Sequence, residues 1–188
     1  MTQRILAFLI LCLSSPLLII IYLLVKFESR GNFIFRQKRL GKNKKPFTIY
    51  KIRTMVDGAE KEQAKLKHQN EADGPVFKIK NDPRYTRVGR VIARYGLDEL
   101  PQLINIIKGE MAFVGPRPLP VAEAQKIPKK YQARFTVLPG ITSSWVSENY
   151  SHTNFAAWMQ KDIEYVKMKS SLVDIKIIWQ TIHQIWLH

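Results

Sequence analysis

Residues 5–25, ILAFLILCLSSPLLIIIYLLV, carry no formal charge and are bracketed by Arg4 and Lys26. As a straight helix this stretch is ~31 Å long, enough to cross the hydrocarbon core of a bilayer. A signal peptide is disfavoured. The run is long for a signal h-region, and no small-residue cleavage site comes before the charged Lys26-Phe27-Glu28. Ser14-Ser15-Pro16 lies near its middle. Proline removes a backbone donor and clashes with the preceding turn, so it breaks or kinks a helix, while serine hydroxyls can satisfy the carbonyls that are freed. Two forms follow: a kinked helix that spans the membrane, or a re-entrant hairpin that returns to the side it came from.

The flanking charge bears on the orientation. Residues 29–56 hold no acid but contain Arg30, Arg36, Lys38, Arg39, Lys42, Lys44, Lys45, Lys51 and Arg53. Such a cluster beside a membrane segment belongs on the cytoplasmic side and attracts anionic lipid headgroups. Over the whole chain 30 Lys and Arg face 15 Asp and Glu, a net charge of +15. That excess calls for a polyanionic partner: anionic lipid, a phosphorylated substrate or nucleic acid. No helix-turn-helix, zinc-finger or aromatic-rich RNA motif is present, so nucleic acid is not expected. A chain of 188 residues buries one ordinary core, which predicts an anchor over 1–28 and a single domain over 29–188. Cys12 is the only cysteine, and His68, His152, His183 and His188 lack the spacing of a zinc site. Neither a disulfide nor zinc or thiol chemistry is expected.

Beyond the anchor, alternating apolar and polar residues predict a basic β-hairpin from 32–38 and 47–53 around the turn GKNKKP. A polar helix is expected over 58–71 and a short strand over 76–80, with turns at Asp73-Gly74-Pro75 and Asn81-Asp82-Pro83. A helix over 84–95 gathers Arg87, Arg90 and Arg94 on one side and Val88, Val91, Ile92 and Tyr95 on another. Further helices are expected over 96–108 and 121–135, then a turn at Pro139-Gly140. Near the C-terminus Leu172, Ile175, Ile178, Trp179, Ile182, Ile185 and Trp186 follow helical spacing. This stripe suits a membrane interface and a protein core equally. The fold class is therefore α+β and helix-dominated.

The stretch with most chemistry is 97–120, LDELPQLINIIKGEMAFVGPRPLP. Asp98 and Glu99 open a helix; alone, they read as acids complementing the helix dipole behind a Gly96 cap. The same helix end would also keep Asp98 ionised as a nucleophile and would favour phosphate nearby. Arg117 is held between Pro116 and Pro118. It reads either as part of a rigid turn or as a prepositioned bidentate phosphate donor.

This stretch resembles the signature of the bacterial sugar transferases, the small monotopic phosphoglycosyl transferases. The likeness includes QKRLG at 37–41, KIRTM at 51–55 and residues 74–94, and runs from the apolar N-terminus to about residue 182. The resemblance implies that the segment around Ser15 and Pro16 is a helix–break–helix that dips into one leaflet and returns. It implies that Asp98 attacks a UDP-sugar, releases UMP and keeps a phosphosugar, which a polyprenyl (undecaprenyl) phosphate then removes. Mg²⁺ would be the cofactor, with Asp98 as a ligand. Glu99 would orient metal or phosphate, or assist the second step. Arg117, Arg94, Lys51 and Arg53 would bind substrate phosphates. The implied setting is the cytoplasmic face of a bacterial inner membrane, at the first membrane step of a surface glycan, upstream of further glycosyltransferases. The oligomeric state stays open, a dimer included.

The chain departs from the family's pattern after Pro139-Gly140-Ile141-Thr142, where it continues SSWVSENY. No sugar can be assigned by resemblance there. Two other functions compete: a membrane-tethered nucleic-acid-binding protein, suggested by the charge, and a non-catalytic scaffold, opposed by the intact Asp98, Glu99 and Arg117.

Overall fold

The apolar stretch forms one helix, α1 (Thr2–Glu28), in the computed structural model of the protein, which describes residues 2–147 and 154–187. By length and composition α1 could cross a membrane. The helical backbone of α1 continues through Pro16. Proline cannot donate to the carbonyl four residues back. Ser15 Oγ donates to that carbonyl, Cys12 O, at 2.7 Å, and Ser14 Oγ donates to Leu11 O at 3.0 Å. The two ends of α1 pack against the rest of the protein and the middle does not. Ala7 is buried among Phe47, Ile49, Leu103 and Ile106, and Ile21 and Val25 among Ile52 and Ile92. No α1 residue between them is buried, and Leu13 is 84% exposed.

β1 (Ile34–Leu40) and β2 (Pro46–Ile52) form the expected antiparallel hairpin, with Phe35 opposite Lys51, Gln37 opposite Ile49 and Arg39 opposite Phe47. The period of two puts Phe35, Gln37, Arg39 and Lys51 on one face. The free edge of β2 is closed by a buried side chain: Asn105 Nδ2 donates to Thr48 O at 2.7 Å, and Asn105 Oδ1 accepts from Tyr50 N at 3.3 Å. An unpaired strand edge is thereby satisfied beside Lys51.

The polar helix expected over 58–71 shrinks to α2 (Ala59–Glu62) and a 3₁₀ turn, Lys67–Gln69. Its sequence has no apolar face with which to dock a longer helix. The strand expected over 76–80 does not form either. Asn70 takes the place of a strand partner: its Oδ1 accepts from Lys78 N at 2.8 Å and its Nδ2 donates to Val76 O at 3.1 Å. α3 (Arg87–Arg94) starts at Thr86, whose hydroxyl accepts from Gly89 N. Glu28, the last residue of α1, accepts from Arg87 N at 2.7 Å and Val88 N at 2.9 Å, so it caps α3 as well.

Gly96 closes α3 at φ 66°, a left-handed conformation costly for any other residue. Residues Leu97–Gln102 then wind as a 3₁₀ helix containing Pro101 and run into α4 (Leu103–Lys108). β3 (Ala112–Val114) leads to the GPRP loop and α5 (Val121–Ala124). The helix expected over 121–135 stops there; past Pro128, which carries no N–H, the chain forms 3₁₀ turns over Lys129–Thr136. β4 (Gly140–Thr142) pairs in parallel with β3, Ala112 opposite Gly140 and Val114 opposite Thr142. A Cβ on Gly140 would overlap the backbone of Gly115 and Val114.

Three helices complete the described residues: α6 (Ser144–Ser147), α7 (Phe155–Met168) and α8 (Ser171–Leu187). The largest core lies between α6, α7 and the 3₁₀ turns. Trp145 stacks on Trp158 with centroids 4.7 Å apart, surrounded by Tyr131, Phe135, Phe155 and Met159. α8 divides its apolar stripe: Ile177 is buried against Val114 and Tyr165, while Leu172, Ile175 and Trp179 are exposed. The whole is helix-dominated, with two small two-stranded sheets.

Candidate active site

Three elements build a cluster around one acidic pair. β2 delivers Lys51, whose Nζ lies 3.1 Å from Asp98 Oδ2 and 2.7 Å from Glu99 Oε1. The loop after β3 delivers Arg117, whose Nη2 lies 2.8 Å from the same Glu99 oxygen. The acids stand at the start of the 3₁₀ helix that precedes α4. Asp98 is buried, with its side chain 11% exposed. Beside it opens a cavity of about 360 Å³ whose wall includes Gln37, Arg39, Lys51, Tyr85, Asp98 and Glu123. A cavity of this size with convergent charged groups suits a small phosphorylated ligand.

The two carboxyl groups differ electrostatically. Burial pushes the Asp98 carboxyl up, and the Glu99 charge adds to this against the pull of Lys51. Burial opposes ionisation of Glu99 too, but Arg117 and Lys51 hold it down at about 2. Glu99 is thus a permanent anion at neutral pH, while Asp98 is the more basic carboxylate of the pair. A helix end on its own favours an easily ionised Asp98; desolvation outweighs it here.

Lys51, Asp98, Glu99 and Arg117 are therefore brought together, whereas Arg53 and Arg94 are not part of the cluster. Arg53 lines the cavity, but its Nη1 donates to Arg30 O and its Nη2 donates to Ser29 O at 2.9 Å, so it ties the end of α1 to β2. Arg94 is exposed at the end of α3 with Arg87 and Arg90, and none of the three lines the cavity.

Residues not singled out from sequence also belong here. Lys78 lies within electrostatic reach of the cluster; burial lowers its pKa, with Arg117 and Lys51 next in effect. Burial raises the Tyr85 hydroxyl, and the Asp98 charge adds to it. Arg39 donates from Nη1 to Pro118 O at 2.9 Å. The QKRLG motif and the alternation of β1 were the available signals for Arg39; for Lys78 and Tyr85 it was the likeness over residues 74–94. Among the described residues no group of three or more His, Cys, Asp or Glu could hold a metal ion. Two neighbouring carboxylates do fit Mg²⁺, which commonly takes one or two protein carboxylates and completes its shell with water and substrate phosphates. The sequence departure after Thr142 is described only as far as Ser147; residues 148–153 lie outside the described part.

The chain belongs to the bacterial sugar transferase family, whose profile matches residues 1–188. Among its relatives is the exopolysaccharide production protein ExoY of Sinorhizobium fredii, 34% identical over 96% of this chain and 82% of ExoY. The UDP-glucose:undecaprenyl-phosphate glucose-1-phosphate transferase of Escherichia coli is 39% identical over 95% of this chain and 38% of its own length. The galactosyl transferase CpsE of Streptococcus agalactiae is 38% identical over 84% of this chain and 35% of CpsE. The chain thus spans little more than a third of these last two proteins.

Proposed function

We propose that the protein is a phosphoglycosyl transferase that moves a sugar 1-phosphate from a UDP-sugar to a polyprenyl phosphate at a membrane. The observation that carries this reading is Asp98, at the wall of the cavity with Lys51, beside a Glu99 that Lys51 and Arg117 hold. An Asp98 carboxylate oxygen attacks the sugar-bearing phosphorus. The bond to the UMP oxygen breaks, and UMP leaves with the electron pair. A polyprenyl phosphate oxygen then attacks the same phosphorus and releases the Asp98 carboxylate. A more basic carboxylate is the better nucleophile, and Glu99, kept anionic, holds Lys51 and Arg117 beside the reacting phosphate. Asp98, with Glu99 beside it, would hold Mg²⁺, which supplies positive charge against the diphosphate.

In this reading the middle of α1 dips into one leaflet and both ends stay on the cytoplasmic face. Support comes from the packing: Ala7 at one end and Val25 at the other are buried against the same domain, while Leu13 between them is exposed. A helix crossing the bilayer could not keep both ends on one domain.

Intact-mass analysis tests the covalent step. The protein is given a UDP-sugar and Mg²⁺ without lipid acceptor; it should release one UMP per site and gain a phosphosugar mass, and Asp98→Asn should do neither. Product that forms only when both substrates are present, with no adduct, would make the reaction a direct displacement.

A further inference from the structure

The loop that carries Arg117 is held by its carbonyl groups. Pro116 O accepts from Gly140 N at 3.2 Å, Leu119 O accepts from Leu40 N at 3.3 Å, and Pro120 O accepts from Ala124 N at 2.8 Å. The two carbonyls between are held by side chains: Arg117 O accepts from Arg134 Nη2 at 2.7 Å, and Pro118 O from Arg39 Nη1 at 2.9 Å. The proline rings fix φ at 116 and 118, but a ring leaves ψ free. The direction of each carbonyl sets ψ of its own residue, because the peptide unit is planar. The two guanidinium groups therefore fix the torsions that the prolines leave open on the C-terminal side of Arg117.

The Arg134 guanidinium is balanced by an acid away from the reacting pair. Arg134 is 3% exposed, and its Nε and Nη2 donate to Asp162 Oδ2 at 3.0 and 2.8 Å. Asp162, on α7, is 1% exposed and does not line the cavity. Arg39 feels Glu123 of α5; burial first and then Arg117 lower its pKa to about 10, so it stays charged at neutral pH. Arg134 can thus grip the carbonyl of Arg117 without leaving an uncompensated cation beside it.

We propose that Arg134, held by Asp162, and Arg39 are positioning residues for the reaction: they aim Arg117 at Glu99 and the transferring phosphate by holding the carbonyls of Arg117 and Pro118. Neither acts on substrate through this contact. The helix α7 thereby becomes part of the active-site scaffold, although it contributes no group to the cavity. The proposal rests on the transferase reading above.

The test is a double-substitution cycle on the full chain, read as kcat/KM for UMP release from a UDP-sugar. Arg134→Lys keeps the charge but cannot serve Asp162 and Arg117 O together. It should lower kcat/KM at least about tenfold, mainly through kcat, yet less than about twofold when Arg117→Lys is already present. An equal loss in both backgrounds, or no loss in the first, overturns the proposal, since a merely structural role adds independently. If Arg134→Lys does not fold, the same cycle is run with Arg39→Lys. Hydrogen exchange supplies a readout free of catalysis: amides of 112–120 should exchange faster in Arg134→Lys and in Asp162→Asn, with those of 34–52 unchanged. If the wild-type protein releases no UMP, the transferase reading fails and the exchange data alone decide the loop; unchanged exchange there overturns the positioning role.

Discussion

Arg117 Nη2 lies 2.8 Å from Glu99 Oε1, and that same oxygen also accepts from Lys51 at 2.7 Å. One carboxylate oxygen therefore keeps two cations, arriving from different parts of the fold, within reach of Asp98. Removal of either cation should be felt by the other.

Arg117→Lys is not conservative at this position. Lysine keeps the charge but lacks the planar fork that can bond Glu99 and a phosphate together. UMP release should fall at least about tenfold, a loss of ~1.4 kcal/mol of transition-state stabilisation. A protein with the wild-type melting curve and near-normal turnover would reduce Arg117 to a residue of a rigid turn.

A pH titration should report Asp98. Burial raises its carboxyl above the ordinary value of 3.8, so the ionised nucleophile is lost as pH falls through a value higher than that. In the metal-free protein, an NMR titration of the Asp98 carboxyl should accordingly have its midpoint above 3.8. Glu99→Gln removes an influence that raises Asp98, so this midpoint should move to lower pH. An upward movement would contradict the electrostatic account. The same variant informs on the second half-reaction: an adduct that forms but is not discharged by polyprenyl phosphate places Glu99 there.

Glu99 should also contribute to stability with a definite sign. Its folded pKa of about 2 lies below the ordinary 4.5, so its contribution is full above 4.5 and is lost as pH falls towards 2. Urea melts of wild type and Glu99→Gln should differ at neutral pH and converge on acidification; a gap that widens in acid would refute this.

Gly140→Ala should act on the frame. The new Cβ meets the backbone of Gly115 and Val114, which cannot move aside as a side chain would. A loss of about 1–3 kcal/mol is expected, as for other overpacked positions. Chemical denaturation measures it directly, and an unchanged midpoint would show that β3 and β4 can separate without penalty.

The anchor can be examined in cells. With Cys12→Ala as background, a cysteine at Thr2 should resist an impermeant thiol reagent applied from outside and react after the membrane is opened. Labelling from outside would make α1 a spanning helix.

Much of this site was legible because its parts sit in short motifs. Asp98 and Glu99 are adjacent, Arg117 is framed by prolines, and Lys51 lies on an alternating strand whose hairpin is present. What escaped reading rests on contacts between residues far apart in the chain. Arg134 and Asp162 look like ordinary surface charges until the fold brings them together, and Asn105 in LINIIK gives no hint that it closes the edge of β2. The pattern over 121–135 carried its own warning in Pro128, while Asn70 replaced a predicted strand by side-chain bonds that no periodicity reveals. Helical spacing groups Arg87, Arg90 and Arg94, but which side of α3 faces the site is decided by packing.

The parallel pairing of β3 with β4 has a consequence for how the protein assembles. Both Arg117 and Arg134 lie in segment 115–139, which links the two strands. Pairing of this kind must first overcome the entropy of closing the intervening loop, so it forms slowly relative to local helices and hairpins. The β1–β2 hairpin alone relies on near neighbours. The contacts of Lys51 with Asp98 and Glu99 bridge 47 and 48 positions, further than the two strands are from each other. Competence for phosphate chemistry would then emerge only at the end of folding, when several distant segments have met.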